Sequence, residues 1–253
     1  MNFLIYLSVL ILFLILTNKY FINYNILISE TGDRHQKFAS KDKVPLTGGI
    51  FLFLSFLFFF NEEIFSFIFF SLLILLLGIF SDLKKIKSAF TRLVIQISLV
   101  LAFVVLNDYQ LFNTKIYLLD KLLSYKIFNY LFVSFCILIV INGSNFFDGL
   151  NTLSIGYYVL ISLALYYLYE FNYIAINDVF INCVLIVLII TFFLNFINKI
   201  YLGDSGSYLL GFTFSIFLIN IYIENPQISP FFIIVLLWYP SFEILFSIIR
   251  KNI

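Results

Sequence analysis

Leu131–Asn151 reads LFVSFCILIVINGSNFFDGLN. The run up to Ile141 is apolar, and then five Asn, Ser or Asp residues fall within the ten positions Asn142–Asn151. A second apolar run starts near Leu153. Polar groups at a membrane border cost free energy unless they meet water, each other or a ligand. The plain alternative is a turn between two helices, with Asp148-Gly149 as turn chemistry and Asn151 as a helix cap. What separates the two readings is whether other polar clusters fall on the same side of the membrane.

The bulk composition puts the chain in a membrane. Of 253 residues, 62% are apolar, only 11% are charged, and the mean hydropathy is +1.06. A soluble domain carries about 25% charge. The formal net charge of +1 gives no basic footprint, so no nucleic-acid partner is expected. Cys136 and Cys183 sit inside apolar runs and read as small packing residues. No basic residue precedes 3–17 and no small-residue cleavage site follows it, which reads as a retained first span with its N-terminus outside.

A spanning helix needs about 20 apolar residues, fewer where the ends snorkel. About nine segments qualify: 3–17, 46–60, 64–80, 93–106, 127–141, 153–169, 179–197, 208–223 and 231–249. The expected fold class is all-α, a polytopic transmembrane helical bundle forming one domain over 1–253. Continuous apolar runs exclude the alternation of a β-barrel. With the N-terminus outside, twelve Lys and Arg residues fall on one side and only Lys115, Lys121 and Lys126 on the other. The richer side is then cytoplasmic. The cytoplasmic breaks are 30–47, 81–91, 142–152 and 198–207, and each contains at least one Asp.

Four polar loops on one face can converge on one site. In Tyr201–Ser207, YLGDSGS, Gly203 and Gly206 permit close backbone approach, and amides at a helix start suit a phosphate. Asp204 is a hard oxygen donor of the kind Mg²⁺ takes beside substrate phosphates. Alternatively, Asp204, Ser205 or Ser207 simply caps a helix from 208. In Ser81–Arg92, SDLKKIKSAFTR, the basic residues read as topological or lipid-binding, whereas Asp82 ends a long apolar run where a carboxylate is poorly solvated. Such a group can bind a cation or act as a base. Pro45, Gly48 and Gly49 form a turn into a span, consistent with close backbone approach. His35, the chain's one histidine, reads as a surface residue, and Glu243 stands out as a carboxylate inside an apolar segment.

Taken in order, PLTGG (Pro45–Gly49), GIFSDLKK (Gly78–Lys85), NGSNFFDGLN (Asn142–Asn151), KIYLGDSGSYLLG (Lys199–Gly211) and YPSFEILFSIIRK (Tyr239–Lys251) resemble the polyprenyl-phosphate sugar-1-phosphate transferases. That family includes phospho-N-acetylmuramoyl-pentapeptide transferase and the N-acetylglucosamine-1-phosphate transferases of cell-surface glycan synthesis. The resemblance runs from about Asp33 to Lys251. It implies an enzyme of the EC 2.7.8 type in the bacterial cytoplasmic membrane, acting in cell-envelope glycan assembly. By that resemblance undecaprenyl phosphate attacks the sugar-linked phosphorus of a UDP-sugar, expected to be a UDP-N-acetylhexosamine, and UMP leaves. Mg²⁺, or Mn²⁺ in its place, neutralises the developing charge. By the same match Asp82, Asp148 and Asp204 are the expected catalytic residues, with Asp204 and Asp148 at the metal. Asn142, Asn145, Lys199, Gly203, Ser205, Gly48, Gly49 and Lys84 are expected to bind substrate. The expected partners are the UDP-sugar, undecaprenyl phosphate, the bilayer and a second copy of the chain in a homodimer.

The chain departs from that family at several places. Ser81 stands where the family has the first Asp of a pair, and Asn151 where it has an Asp. Asn195 is one residue nearer Lys199 than in the common form, and His35 lies ten residues before Pro45. The family continues beyond this point into a His-x-His-His-like cytoplasmic loop and a last span, whereas the chain stops at Ile253. Two other readings follow: an inactive or truncated relative serving as a partner subunit, and a polyprenyl-lipid or solute carrier. A carrier is expected to show midplane charges and interrupted helices in two related halves. Glu243 is the one such charge, and no related halves are visible.

Overall fold

The structure, a computed structural model, describes residues 3–29, 43–59, 64–148 and 152–252. Its helices are α1 (Phe3–Tyr24), α2 (Gly48–Phe56), α3 (Phe65–Asp82), α4 (Ala89–Leu106), α5 (Tyr117–Leu123), α6 (Lys126–Phe147), α7 (Leu153–Glu170), α8 (Asp178–Phe196), α9 (Gly203–Glu224), α10 (Pro230–Leu236) and α11 (Trp238–Asn252). Among the described residues the extended pairing is one isolated antiparallel bridge, Ile28 with Pro45. The protein is a multi-pass membrane protein of the all-α class. Among the described residues, seven helices are long and apolar enough to cross a bilayer, and the bent pair α10–α11 makes an eighth if it is one broken span.

Four of the expected boundaries differ, each for a physical reason. The 46–60 segment is shorter than a span. With the 3₁₀ turn Leu57–Phe59 it covers about 18 Å at 1.5 Å per residue, against about 30 Å of hydrocarbon. Its ends still reach towards opposite ends of the bundle, since Gly48 packs on Leu202 while Phe59 meets Phe180. The 231–249 segment is broken, with α10 and α11 meeting at 60°. Pro240 cannot follow a continuous helix, because its ring would meet the carbonyl of Leu236 four residues back. That carbonyl instead accepts a 2.5 Å hydrogen bond from the Tyr157 hydroxyl. The Asn142–Thr152 break begins later than expected, because α6 continues through Asn142 and Asn145 to Phe147. Likewise α9 begins at Gly203, not near 208.

The bundle is built around α9, which is buried on all sides over most of its length. Around it, α3, α6 and α2 come close enough for backbones to touch, and small residues make this possible. A Cβ on Gly78 would lie 2.3 Å from Ser205 Cα, one on Gly49 2.6 Å from Gly206 N, and one on Gly211 2.6 Å from Ile141 Cα. Gly143 meets the Pro240 carbonyl in the same way at 2.2 Å, which seats α11 on α6.

Chain direction places the polar clusters together. Phe3 at the start of α1 packs on Phe58 and Phe59, at the end of the bundle away from the aspartates. Asn18, later on α1, accepts from Thr47 at 2.8 Å and donates to the Lys199 carbonyl at 3.3 Å. The PLTGG and KIYLGDSG stretches then run side by side, with Tyr201 N–H on the Pro45 carbonyl and Gly48 N–H on the Tyr201 carbonyl, both at 2.9 Å.

Candidate active site

The end of α3, the first turn of α4, the end of α6 and the start of α9 meet at one point. Asp82, the last residue of α3, reaches across to the first turn of α9. Its Oδ1 accepts from Asp204 N–H at 2.8 Å and its Oδ2 from Ser205 N–H at 3.1 Å. These amides would otherwise lack partners, and a carboxylate at a helix N-terminus also meets the favourable end of the dipole. Gly203 makes the approach possible. It sits at φ +67°, and a Cβ there would lie 2.8 Å from Asp82 Oδ2. The amides expected from sequence to face a phosphate are thus occupied by Asp82.

Asp204, held in place by that cap, turns its side chain towards α4. Its Oδ2 pairs with Arg92 Nη1 at 2.6 Å and accepts from the Ser81 hydroxyl, while the Tyr208 hydroxyl lies 3.5 Å away. Arg92 Nη1 also donates to Ser81 Oγ at 2.6 Å. One turn deeper on α4, Gln96 is buried and its Oε1 accepts from Asn142 Nδ2 at 3.0 Å. The outward face of this helix carries Phe90, Val94 and Ile97, all exposed, so the polar cluster lies one helix thickness from lipid.

From α6, Asn145 Oδ1 accepts from the Ser207 hydroxyl at 3.0 Å. Asp148 follows the helix as its C-terminal cap residue. Part of its surface remains accessible, but its carboxyl is packed within protein. Burial pushes that carboxyl well above the usual carboxylate range, and the nearby charges of Asp204 and Asp82 push it further. Three carboxylates therefore share one region whose described counter-charge is Arg92.

The remaining expected residues are placed around this centre. Gly48 and Gly49 lie against Tyr201–Leu202 and Ser205–Gly206, where they let α2 touch α9. Ser205 is buried, with its hydroxyl on the Leu202 carbonyl at 3.3 Å. Lys199 is exposed on the connection into α9. Lys84 is exposed in the turn that ends α3, at φ +56°. Asn195 is a clasp: its Oδ1 accepts from Thr152 N–H at 2.7 Å and its Nδ2 donates to the Ile200 carbonyl at 3.1 Å. Glu243 is half-buried on α11. His35, Gly149, Asn151 and the side chain of Arg250 lie outside the described residues.

Sequence reasoning gave Arg92 and Gln96 no part in the site, and it gave Ser207 only the part of a helix cap. Arg92 was hidden among the lysines of a basic loop. The signal that points to it is Gln96, an amide in the apolar stretch LVIQISLV, four residues on and so on the same helical face.

A sequence profile of glycosyl transferase family 4 matches residues 64–222, more than half the chain. The chain belongs to glycosyl transferase family 4. It is a transferase of the polyprenyl-phosphate sugar-1-phosphate class, and the matched span contains Ser81, Asp82, Arg92, Asn145, Asp148 and Asp204. No curated protein matches it.

The donors present in this transferase fit a particular kind of metal site. Among the described residues, no three of His, Cys, Asp and Glu close a site on their own. Asp204 and Asp148 offer two carboxylates, and Mg²⁺ in phosphoryl-transfer sites is commonly held by one or two carboxylates with phosphate oxygens and water completing the shell. A cation there would also offset the repulsion that pushes Asp148 up. Towards the other end of the bundle a half-open apolar cavity of about 230 Å³ lies between α6, α9 and α10, lined by Cys136, Val140, Ile219, Phe231 and Leu237.

Proposed function

We propose that the protein transfers N-acetylhexosamine-1-phosphate from a UDP-sugar to undecaprenyl phosphate, releasing UMP, at the cytoplasmic face of a bacterial membrane. The observation that carries this reading is the meeting of Asp82, Asp148, Asp204 and Arg92 beside a lipid-facing helix. A phosphoryl transfer between a water-soluble donor and a lipid acceptor needs a charged site at such a border.

In this reading an oxygen of the lipid phosphate forms a bond to the sugar-linked phosphorus, and the bond from that phosphorus to the UMP oxygen breaks. Asp204 and Asp148 would hold Mg²⁺, or Mn²⁺, which neutralises charge on the diphosphate when bound. In this reading Asp82 takes up the lipid phosphate's proton, and its cap on α9 keeps Asp204 aimed. Asn145 and Asn142 line the nucleotide-sugar side, and Lys199 and Lys84 add positive charge at the rim. The apolar cavity suits part of the lipid's hydrocarbon chain. A homodimer is compatible with this arrangement.

A second reading has one observation in its favour. Ser81 is neutral and Asp204 is already paired with Arg92, as expected of a relative that has lost activity and serves as a partner subunit. Transfer in washed membranes containing only this chain decides between them. Supplied with labelled UDP-N-acetylglucosamine, undecaprenyl phosphate and Mg²⁺, the membranes are expected to place label in lipid. That transfer is expected to fall at least a hundredfold with EDTA or in Asp204→Asn, at unchanged protein level. No label with any UDP-N-acetylhexosamine, or full activity in Asp204→Asn, would sink the reading.

A further inference from the structure

Asp204 can serve a metal only if it is released from Arg92. Its Oδ2 receives both Arg92 Nη1, at 2.6 Å, and the Ser81 hydroxyl. Ser81 uses its proton on Asp204 and accepts from the same Arg92 nitrogen at 2.6 Å, so the three groups close a ring. A hydroxyl brings no charge, and Asp82 next to it is turned away onto the amides of Asp204 and Ser205. Among the described residues, Asp204 is the carboxylate in ion-pair contact with Arg92. The pair is sheltered, each side chain retaining about a quarter of its exposure (24% and 25%), so water screens it only partly.

One donor of the guanidinium lacks a partner. Its Nε is buried and has no hydrogen-bond partner. A buried donor without an acceptor is unfavourable, and the pair, made from Nη1 to Asp204 Oδ2, lacks the two-point grip of the strong arginine–carboxylate pairs. The side chain is therefore anchored by charge more than by geometry. It is free to exchange one oxygen acceptor for another.

We propose that Arg92 is a resident counterion that a divalent cation has to displace from Asp204, and that the neutral residue at position 81 is what commits Arg92 to that role. This rests on the metal-dependent reading above. The displaced guanidinium, with Nε already lacking an acceptor, turns to the phosphate oxygens that arrive with the cation. Cation binding and phosphate binding are then coupled through one side chain, and a cation alone binds weakly.

The test is direct Mn²⁺ binding, followed by the electron paramagnetic resonance of the free ion, to the full chain purified in detergent. Four variants are compared with the natural chain. Arg92→Met removes the competitor and is expected to bind Mn²⁺ about tenfold more tightly, the scale of one charge-assisted hydrogen bond. Arg92→Lys retains the charge and is expected to stay within about threefold of the natural chain. Ser81→Asp keeps Arg92 but gives it a carboxylate of its own, and is also expected to tighten binding. Asp204→Asn is expected to weaken it at least tenfold. Arg92→Met and Ser81→Asp binding no more tightly than the natural chain would overturn the proposal while leaving the metal reading intact. An absence of Mn²⁺ binding in every chain would overturn both. Because Ser81→Asp leaves the arginine in place, a folding failure in Arg92→Met does not remove the test.

Discussion

Three aspartates within one site carry three different burdens. Asp82 has both oxygens on backbone amides and acts as a cap supplied from another helix. Asp204 is matched by a guanidinium. Asp148 is packed among protein atoms beside the other two charges, and its carboxyl rises well above the ordinary range. A raised carboxyl pKa means that the folded protein holds the proton longer than the unfolded chain. Stability then falls as the pH rises from the unfolded value of about 4 towards the folded one. Asp148→Asn keeps the shape and removes that burden. The expected result is a higher melting temperature than the natural chain at pH 7, by about 2–4 °C for each kcal/mol relieved, with the difference closing near pH 4. Transfer activity is expected to be lost in the same variant. A lower melting temperature at pH 7 would mean that the ionised carboxylate has a stabilising partner.

Between helices, the site's precision depends on contacts made by residues with no chemistry of their own. Asp82 meets the start of α9 because α3 lies almost against it, and α3 lies there because Gly78 has no Cβ to meet Ser205 Cα at 2.3 Å. Gly78→Ala has to push the two helices apart and is expected to cost about 1–3 kcal/mol, read as a lower melting temperature, with most of the transfer activity lost. Gly156 is the control. A Cβ there meets first the edge of the Phe192 ring at 3.2 Å, the far end of a side chain. Gly156→Ala is expected to be neutral or to gain up to about 1 kcal/mol from helix propensity. Equal damage from both changes would show that close approach at Gly78 is not special. The sequence made the glycines visible but assigned those of PLTGG and YLGDSGS to a ligand's approach. Gly49 and Gly206 approach each other instead. Tertiary contacts between distant segments leave no periodic trace in a chain whose helices are apolar all round, and Gln96, four residues on, is the one mark that sets Arg92 apart from the lysines beside it.

For the whole molecule, hydropathy was enough to read the class of fold, because every apolar run had to become a helix in lipid. It could not read depth. A short helix such as α2 and a bent one such as α10–α11 have the same apolar content as spans, and 231–249 was read as continuous despite Pro240. Polar residues were read as breaks although α6 and α9 carry Asn142, Asn145, Asp204 and Ser207 on helical turns, where neighbouring helices satisfy them. Sidedness follows from combining the two sources. The structure places Phe3 and the aspartates at opposite ends of the bundle, and the distribution of lysines and arginines predicts that the aspartate end faces the cytoplasm. Single cysteines in a chain carrying Cys136→Ser and Cys183→Ser test this assignment in intact cells. Lys87→Cys, exposed between α3 and α4, is expected to resist a membrane-impermeant maleimide until the cells are opened. Asn113→Cys, exposed between α4 and α5 at the other end, is expected to react at once. The reverse pattern would turn the site outward, away from any cytosolic UDP-sugar, and the proposed reaction would have no donor.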